Sequence, residues 1–154
     1  MLLTELLSAD RVRVPLAART KDAVLEELVA VLAAAGVVGD ADATLRAVRQ
    51  REEVLSTGIG GGVAIPHGKS DSVGGLAMAA GVAAEPLDFA SLDGEPVRLF
   101  FLLVGPESAA GLHVKALSRI SRLVRRDEAR ARLAAAASPA EVMAVVAEAE
   151  AEGA

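Results

Sequence analysis

The sequence has no cysteine, no tryptophan and no tyrosine, and only two histidines, His67 and His113. Without thiols there are no disulfides, thiolate zinc sites, iron–sulfur clusters or cysteine nucleophiles. Chemistry near neutral pH that needs an imidazole must use one of those two rings. A basic surplus is missing too: 16 Lys+Arg stand against 21 Asp+Glu, a net charge of −5 that argues against nucleic acid as a partner. Long apolar runs are also absent. Residues 29–35 and 99–104 are far too short to span a bilayer. The opening MLLTELLSADRVRV lacks the basic start and apolar centre of a signal peptide. The expectation is a cytoplasmic chain with no direct membrane insertion.

What is present points to one domain over residues 1–154, with its ordered core at about 2–148. Hydrophobic residues make up 53%, but much of that is alanine, so Leu, Val, Ile, Met and three Phe must fill the core. RVRVPL at 11–16 reads as a short edge strand. Thr20 can cap a helix whose apolar positions are Val24, Leu28, Val31 and Leu32, ending at Gly36. Asp40 or Asp42 opens a second helix with Leu45, Val48 and Leu55 inward. Residues 76–83 and 97–104 read as buried strands around a Ser91–Gly94 turn. Helical spacing returns over 111–127, and Ser138-Pro139-Ala140-Glu141 is a helix start. AEAEAEGA at 147–154 looks like a fraying helix end. The fold class is therefore α/β, a mixed β-sheet flanked by α-helices.

Between the second helix and the first long strand, STGIGGGVAIPHGKSDSVGG cannot be an ordinary helix. A dinucleotide fingerprint and a Walker A loop both need a glycine at position 63, which is Val63, and a helix where the chain reads as extended or turn-like. Both fail on spacing. The remaining chemical reading is a phosphoryl-accepting histidine. His67 follows a proline on a short strand, and nearby glycines let backbone N–H groups approach an anion. A neutral imidazole has one nitrogen free to attack phosphorus, while the other needs a partner that holds its proton. On loop composition alone, an incidental loop histidine is the equal alternative.

The segment REEVLSTGIGGGVAIPHGK, residues 51–69, resembles the active-site segment of enzyme IIA domains of the fructose–mannitol class in the bacterial phosphoenolpyruvate:sugar phosphotransferase system, together with their nitrogen-regulatory relatives. SLDGEPVRLFFLLVGPE, then Leu112-His113, LSRISRLV and SPAEV extend the resemblance over nearly the whole chain. It implies the mannitol-type enzyme IIA fold and no cofactor. It implies a phosphohistidine at His67, phosphorylated on Nε2 by the phosphocarrier protein HPr and donating to an enzyme IIB domain. Arg51 falls on the family's active-site arginine, and His113 on its second histidine. A nitrogen-type protein would instead dock to a regulatory target protein according to its phosphorylation state. STGIG and IPHGK fit both branches, and the stand-alone length leans mildly towards regulation.

The helper residues can also be weighed on their own. At about 100° per residue, Arg51 lies about 60° from Val48, at the edge of the buried stripe and able to reach inward to a loop. Arg49 points elsewhere and takes no role. His113 shares a stripe with Leu117, Ile120 and Val124, so its ring faces the core or a cleft edge. Lys115, Arg119, Arg122 and Arg126 form a basic face that reads as solvated surface. Two histidines without a thiol or an HExxH spacing do not make a metal site, and no G-x-S-x-G is present for serine hydrolysis.

Overall fold

Two long antiparallel strands, β5 (Ala77–Leu87) and β6 (Val97–Gly105), form the middle of the sheet. In the computed structural model, which describes residues 1–153, every β6 residue except Arg98 is buried. That is the pattern of a strand covered on both faces. At one edge β1 (Val12–Leu16) runs parallel to β5, with its register shifted between Arg13 and Leu16 where Pro15 cannot donate. On the other side, residues 63–69 run parallel to β6 in two pieces, β3 (Val63–Ala64) and β4 (His67–Lys69). Pro66 interrupts them, although its carbonyl still accepts the Leu103 N–H at 3.0 Å. Finally β2 (Gly58–Gly60) folds back antiparallel on β3, giving the order β1-β5-β6-β3-β2 with β4 further along β6.

Alternation along β5 and β6 separates two cores. Met78, Ala80, Val82, Leu99, Phe101 and Leu103 face α4 (Ala110–Arg125), α5 (Asp127–Ala134), α6 (Pro139–Ala151) and the short α1 (Leu3–Leu6). Ala77, Ala79, Phe100, Leu102 and Val104 face α2 (Lys21–Ala34) and α3 (Ala41–Val54). The result is the expected mixed sheet flanked by helices. Thr20 accepts the Ala23 N–H, and Asp40, rather than Asp42, accepts the Ala43 N–H. Gly36 leaves α2 at φ 79°. Ser138 caps α6, but Glu141 reaches back to the Ala137 N–H, one residue earlier than a standard capping box. Among the described residues, no helix is long and apolar enough to cross a membrane.

Three expectations need correction. Leu55 does not point inward: it is 56 % exposed, because α3 stops at Val54 and Leu55 is already extended. The helical period over 111–127 is broken at Arg126, and the Asp127-Glu128 pair starts a separate helix at its electrostatically favoured end. The C-terminal segment is held rather than frayed as far as Ala151. Ala149 is buried, and the Glu150 carboxylate accepts the N–H groups of Leu3 and Thr4 at the start of α1. Ala154 lies outside the described residues. The basic face of α4 is only half free, since Arg119 pairs with Glu150 and Arg126 with Glu152.

Candidate functional site

The chain leaves α3 extended, forms β2, and then turns through Gly60, Gly61 and Gly62 at φ 96°, 65° and 79°. Three consecutive left-handed residues would strain any side chain, which accounts for the glycine run. The turn is pinned by Asp93, whose carboxylate accepts the Gly61 N–H. The chain then re-enters the sheet and presents alternate residues to opposite faces. Gly68 meets α3 so closely that a Cβ would lie 3.0 Å from the Val48 nitrogen. That bare position lets α3 pack against β4, the strand that carries His67. Residues after Ser70 form a turn and an isolated bridge at Val73, not a helix, so the structure also lacks the P-loop geometry.

His67 is half-buried and faces α4, with its ring centroid 5.4 Å from that of His113 in an edge-on arrangement. Its Nδ1 lies 2.9 Å from the Ile65 carbonyl. A carbonyl can only accept, so Nδ1 carries the proton in the neutral ring and Nε2 keeps a lone pair. Burial, with added repulsion from Arg51 and Lys69, holds the His67 pKa below its ordinary value, against smaller opposition from the Ile65 hydrogen bond and Glu52. His113 is 4 % exposed, and among the described residues its buried Nε2 has no hydrogen-bond partner. Burial first, then His67 and Lys69, push its pKa down to about 4. Both rings are neutral at pH 7, side by side, in surroundings that carry positive charge. Such an arrangement can offer a lone pair to an electrophile and hydrogen-bonding capacity to its oxygens.

Arg51 is half-buried at the end of α3, where its Nη1 donates to the Leu55 carbonyl at 2.8 Å. It thereby holds the C-terminal end of its own helix, at a bond that lies at the surface. Its charge registers on His67 without a hydrogen bond between the two. Arg49 does point elsewhere: it forks onto Asp22 and reaches Glu26 on α2. Sequence reading missed Glu52, Thr57 and Lys69. Glu52 stands four residues after Val48 and so on the same inward stripe, a signal that an acidic residue is buried there. Lys69 pairs loosely with Glu107 at 3.4 Å. Among the described residues, no group of three or more metal-ligating side chains is gathered.

The model of the family "Phosphoenolpyruvate-dependent sugar phosphotransferase system, EIIA 2" matches residues 5–149, and the chain belongs to that family. The chain is 41% identical over 138 residues to the fructose-specific EIIABC component of Bacillus subtilis, covering 90% of itself but only 22% of that longer protein. It is 36% identical over 148 residues to a nitrogen regulatory protein of Bradyrhizobium diazoefficiens, covering 96% of this chain and 95% of that one. Among solved structures, the nitrogen regulatory protein IIA-Ntr from Neisseria meningitidis superposes with a TM-score of 0.82 at 29% identity, covering 94% and 98% of the two chains. The IIA mannitol structure from Escherichia coli shares the fold, with a TM-score of 0.78 at 21% identity over 91% and 98% of the two chains.

Proposed function

We propose that this protein is a phosphohistidine phosphotransferase subunit in which His67 takes a phosphoryl group from phospho-HPr and passes it to an enzyme IIB for sugar uptake. One observation carries the reading: Nδ1 of His67 is committed to the Ile65 carbonyl, which leaves Nε2 as the nucleophile. In the transfer, the N–P bond of the donor breaks as the Nε2–P bond forms, and Nδ1 keeps its proton on Ile65. His113 offers its unpartnered Nε2 to the incoming group. That nitrogen donates to a phosphoryl oxygen only if His113 takes the Nε2–H tautomer. Arg51 supplies positive charge after a short swing from the Leu55 carbonyl. Catalysis is positioning and charge stabilisation, since phosphoryl transfer asks little covalent chemistry of the protein.

The substrates in this reading are proteins. Val54, Leu55, Ile59, Leu112 and Val114 are large apolar side chains left exposed on the segments that carry Arg51, the glycine loop and His113. Exposed apolar surface suits protein docking. The solved complex of enzyme IIAMTL with phosphorylated enzyme IIBMTL from Escherichia coli shares this fold.

The test mixes the protein with phosphoenolpyruvate, enzyme I and HPr and follows its mass. An acid-labile, base-stable gain of one phosphoryl group, absent in His67→Ala, is expected. No gain in the wild type, or equal labelling of His67→Ala, overturns the reading. The second reading is a nitrogen-type regulatory phosphoprotein, supported by the 36% identity to the Bradyrhizobium protein. Transfer from the phosphorylated protein to a fructose-class IIB supports transport. Binding to a regulatory target that changes with phosphorylation, without transfer to IIB, supports regulation.

A further inference from the structure

Glu52 carries a buried charge that the transfer scheme above does not use. It sits in the last turn of α3 and is 6 % exposed. Its carboxylate accepts the Thr57 N–H at 3.0–3.1 Å, accepts the Thr57 hydroxyl, and lies 2.9 Å from Lys21 Nζ. Lys21 is the first residue of α2, where a cation opposes the helix dipole, and its Nζ also lies 4.7 Å over the Phe89 ring. A lysine placed there is held by Glu52 rather than by its own helix. Buried ion pairs of this kind seldom add net stability over an apolar pair, which turns attention to what this one holds in place.

What it holds leads to His67 in three steps. Glu52 fixes both the N–H and the hydroxyl of Thr57. The Thr57 carbonyl accepts the Ile65 N–H at 3.0 Å. The Ile65 carbonyl accepts the Nδ1–H hydrogen bond of His67 at 2.9 Å. Ile65 precedes Pro66, which confines its backbone to the extended region, so the aim of that carbonyl is set from both sides. We infer that Glu52, steadied by Lys21, is a positioning residue: through Thr57 and Ile65 it aims the carbonyl that keeps His67 in its Nδ1–H tautomer, with Nε2 free for phosphoryl transfer. The kinetic part of this inference rests on His67 being the acceptor. The link is mechanical, because the N–H and the carbonyl of Thr57 belong to different peptide units.

Two readouts test it on the intact protein. With only two histidines in the chain, nitrogen-15 imidazole spectra report the tautomer of each ring, and stopped-flow labelling by phospho-HPr reports the transfer rate. In Glu52→Gln the expected result is a mixed His67 tautomer and transfer slowed about tenfold, less than the roughly hundredfold that a 1 Å misplacement of reacting groups can cost. Thr57→Val, which keeps the Glu52 charge but loses the hydroxyl, should move both readouts in the same direction and serves if Glu52→Gln fails to fold. Thr57→Ser should restore wild-type behaviour, and Glu53→Gln, at an exposed neighbour of Glu52, should change neither. Folded Glu52→Gln and Thr57→Val with an unaltered tautomer and rates within about twofold of wild type would overturn the inference. If the wild type takes no phosphoryl group at all, the acceptor reading fails instead, and the tautomer spectra still decide the role of Glu52.

Discussion

The two sides of His67 are built on opposite plans. Towards α3 every buried polar group in the chain of contacts is paired: Lys21 with Glu52, Glu52 with Thr57, Thr57 with Ile65, and Ile65 with the imidazole. Towards α4, His113 keeps a buried nitrogen with no partner among the described residues. A saturated network fixes geometry, whereas an unpaired buried polar atom costs free energy until something fills it. In the proposed transfer, the α3 side sets the ring and the α4 side is left open to the incoming group.

That contrast can be broken or sharpened by substitution. The largest effect is expected at the ring itself: His67→Ala should lose phosphoryl acceptance completely while keeping the fold, measured as mass gain beside a normal circular-dichroism spectrum. Next comes the saturated side. Glu52→Ala leaves the Thr57 N–H and hydroxyl unpaired in the interior and should cost about 2–3 kcal/mol in denaturant unfolding. The loss stays below that of a fully buried pair because Lys21 is 30% exposed and can turn to water.

The open side should show itself through pH. The pKa of His113 is depressed in the fold from 6.5 to about 4, so the unfolded chain binds that proton first as pH falls. Its contribution to stability is intact above about 6.5 and is lost as pH drops towards 4. Between pH 7 and pH 5 this amounts to about 2 kcal/mol. His113→Asn should flatten the stability profile over that range, leaving the smaller slope from His67. A variant with the wild-type slope would show that the burial of His113 is not what costs stability in acid.

Arg51→Ala should slow transfer from phospho-HPr about tenfold with little change in stability. A guanidinium at about 4 Å from a phosphoryl group is worth up to about 4 kcal/mol, and partial exposure reduces this by screening. The smallest effect is expected at Arg49→Ala. Its ion pairs with Asp22 and Glu26 lie at the surface, and their loss should change stability by less than about 1 kcal/mol and transfer not at all. A larger kinetic effect at Arg49 than at Arg51 would reverse the assignment of the two arginines.

Much of this was legible beforehand, for identifiable reasons. β5 and β6 announce themselves as apolar runs because both faces are covered, and Thr20, Asp40 and Ser138 mark helix starts by local chemistry. His67, Arg51 and His113 are singled out by the resemblance of residues 51–69 and Leu112-His113 to the enzyme IIA family, with the helix wheel and the scarcity of imidazole in accord. Leu55 misled because periodicity does not say where a helix stops. The tail at 147–151 is held by α1, a contact more than 140 residues away in sequence. Glu52 escaped because its partners come from α2 and from the loop, and only folding brings them together.

The claim at the centre is that Nε2 of His67 is the atom that takes the phosphoryl group. Nitrogen-15 and phosphorus NMR of histidine-labelled protein, phosphorylated through phosphoenolpyruvate, enzyme I and HPr, tests it most directly. The account predicts a single phosphohistidine at His67 with phosphorus on Nε2 and the Nδ1 proton retained; phosphorus on Nδ1 of His67, or on His113, would contradict it.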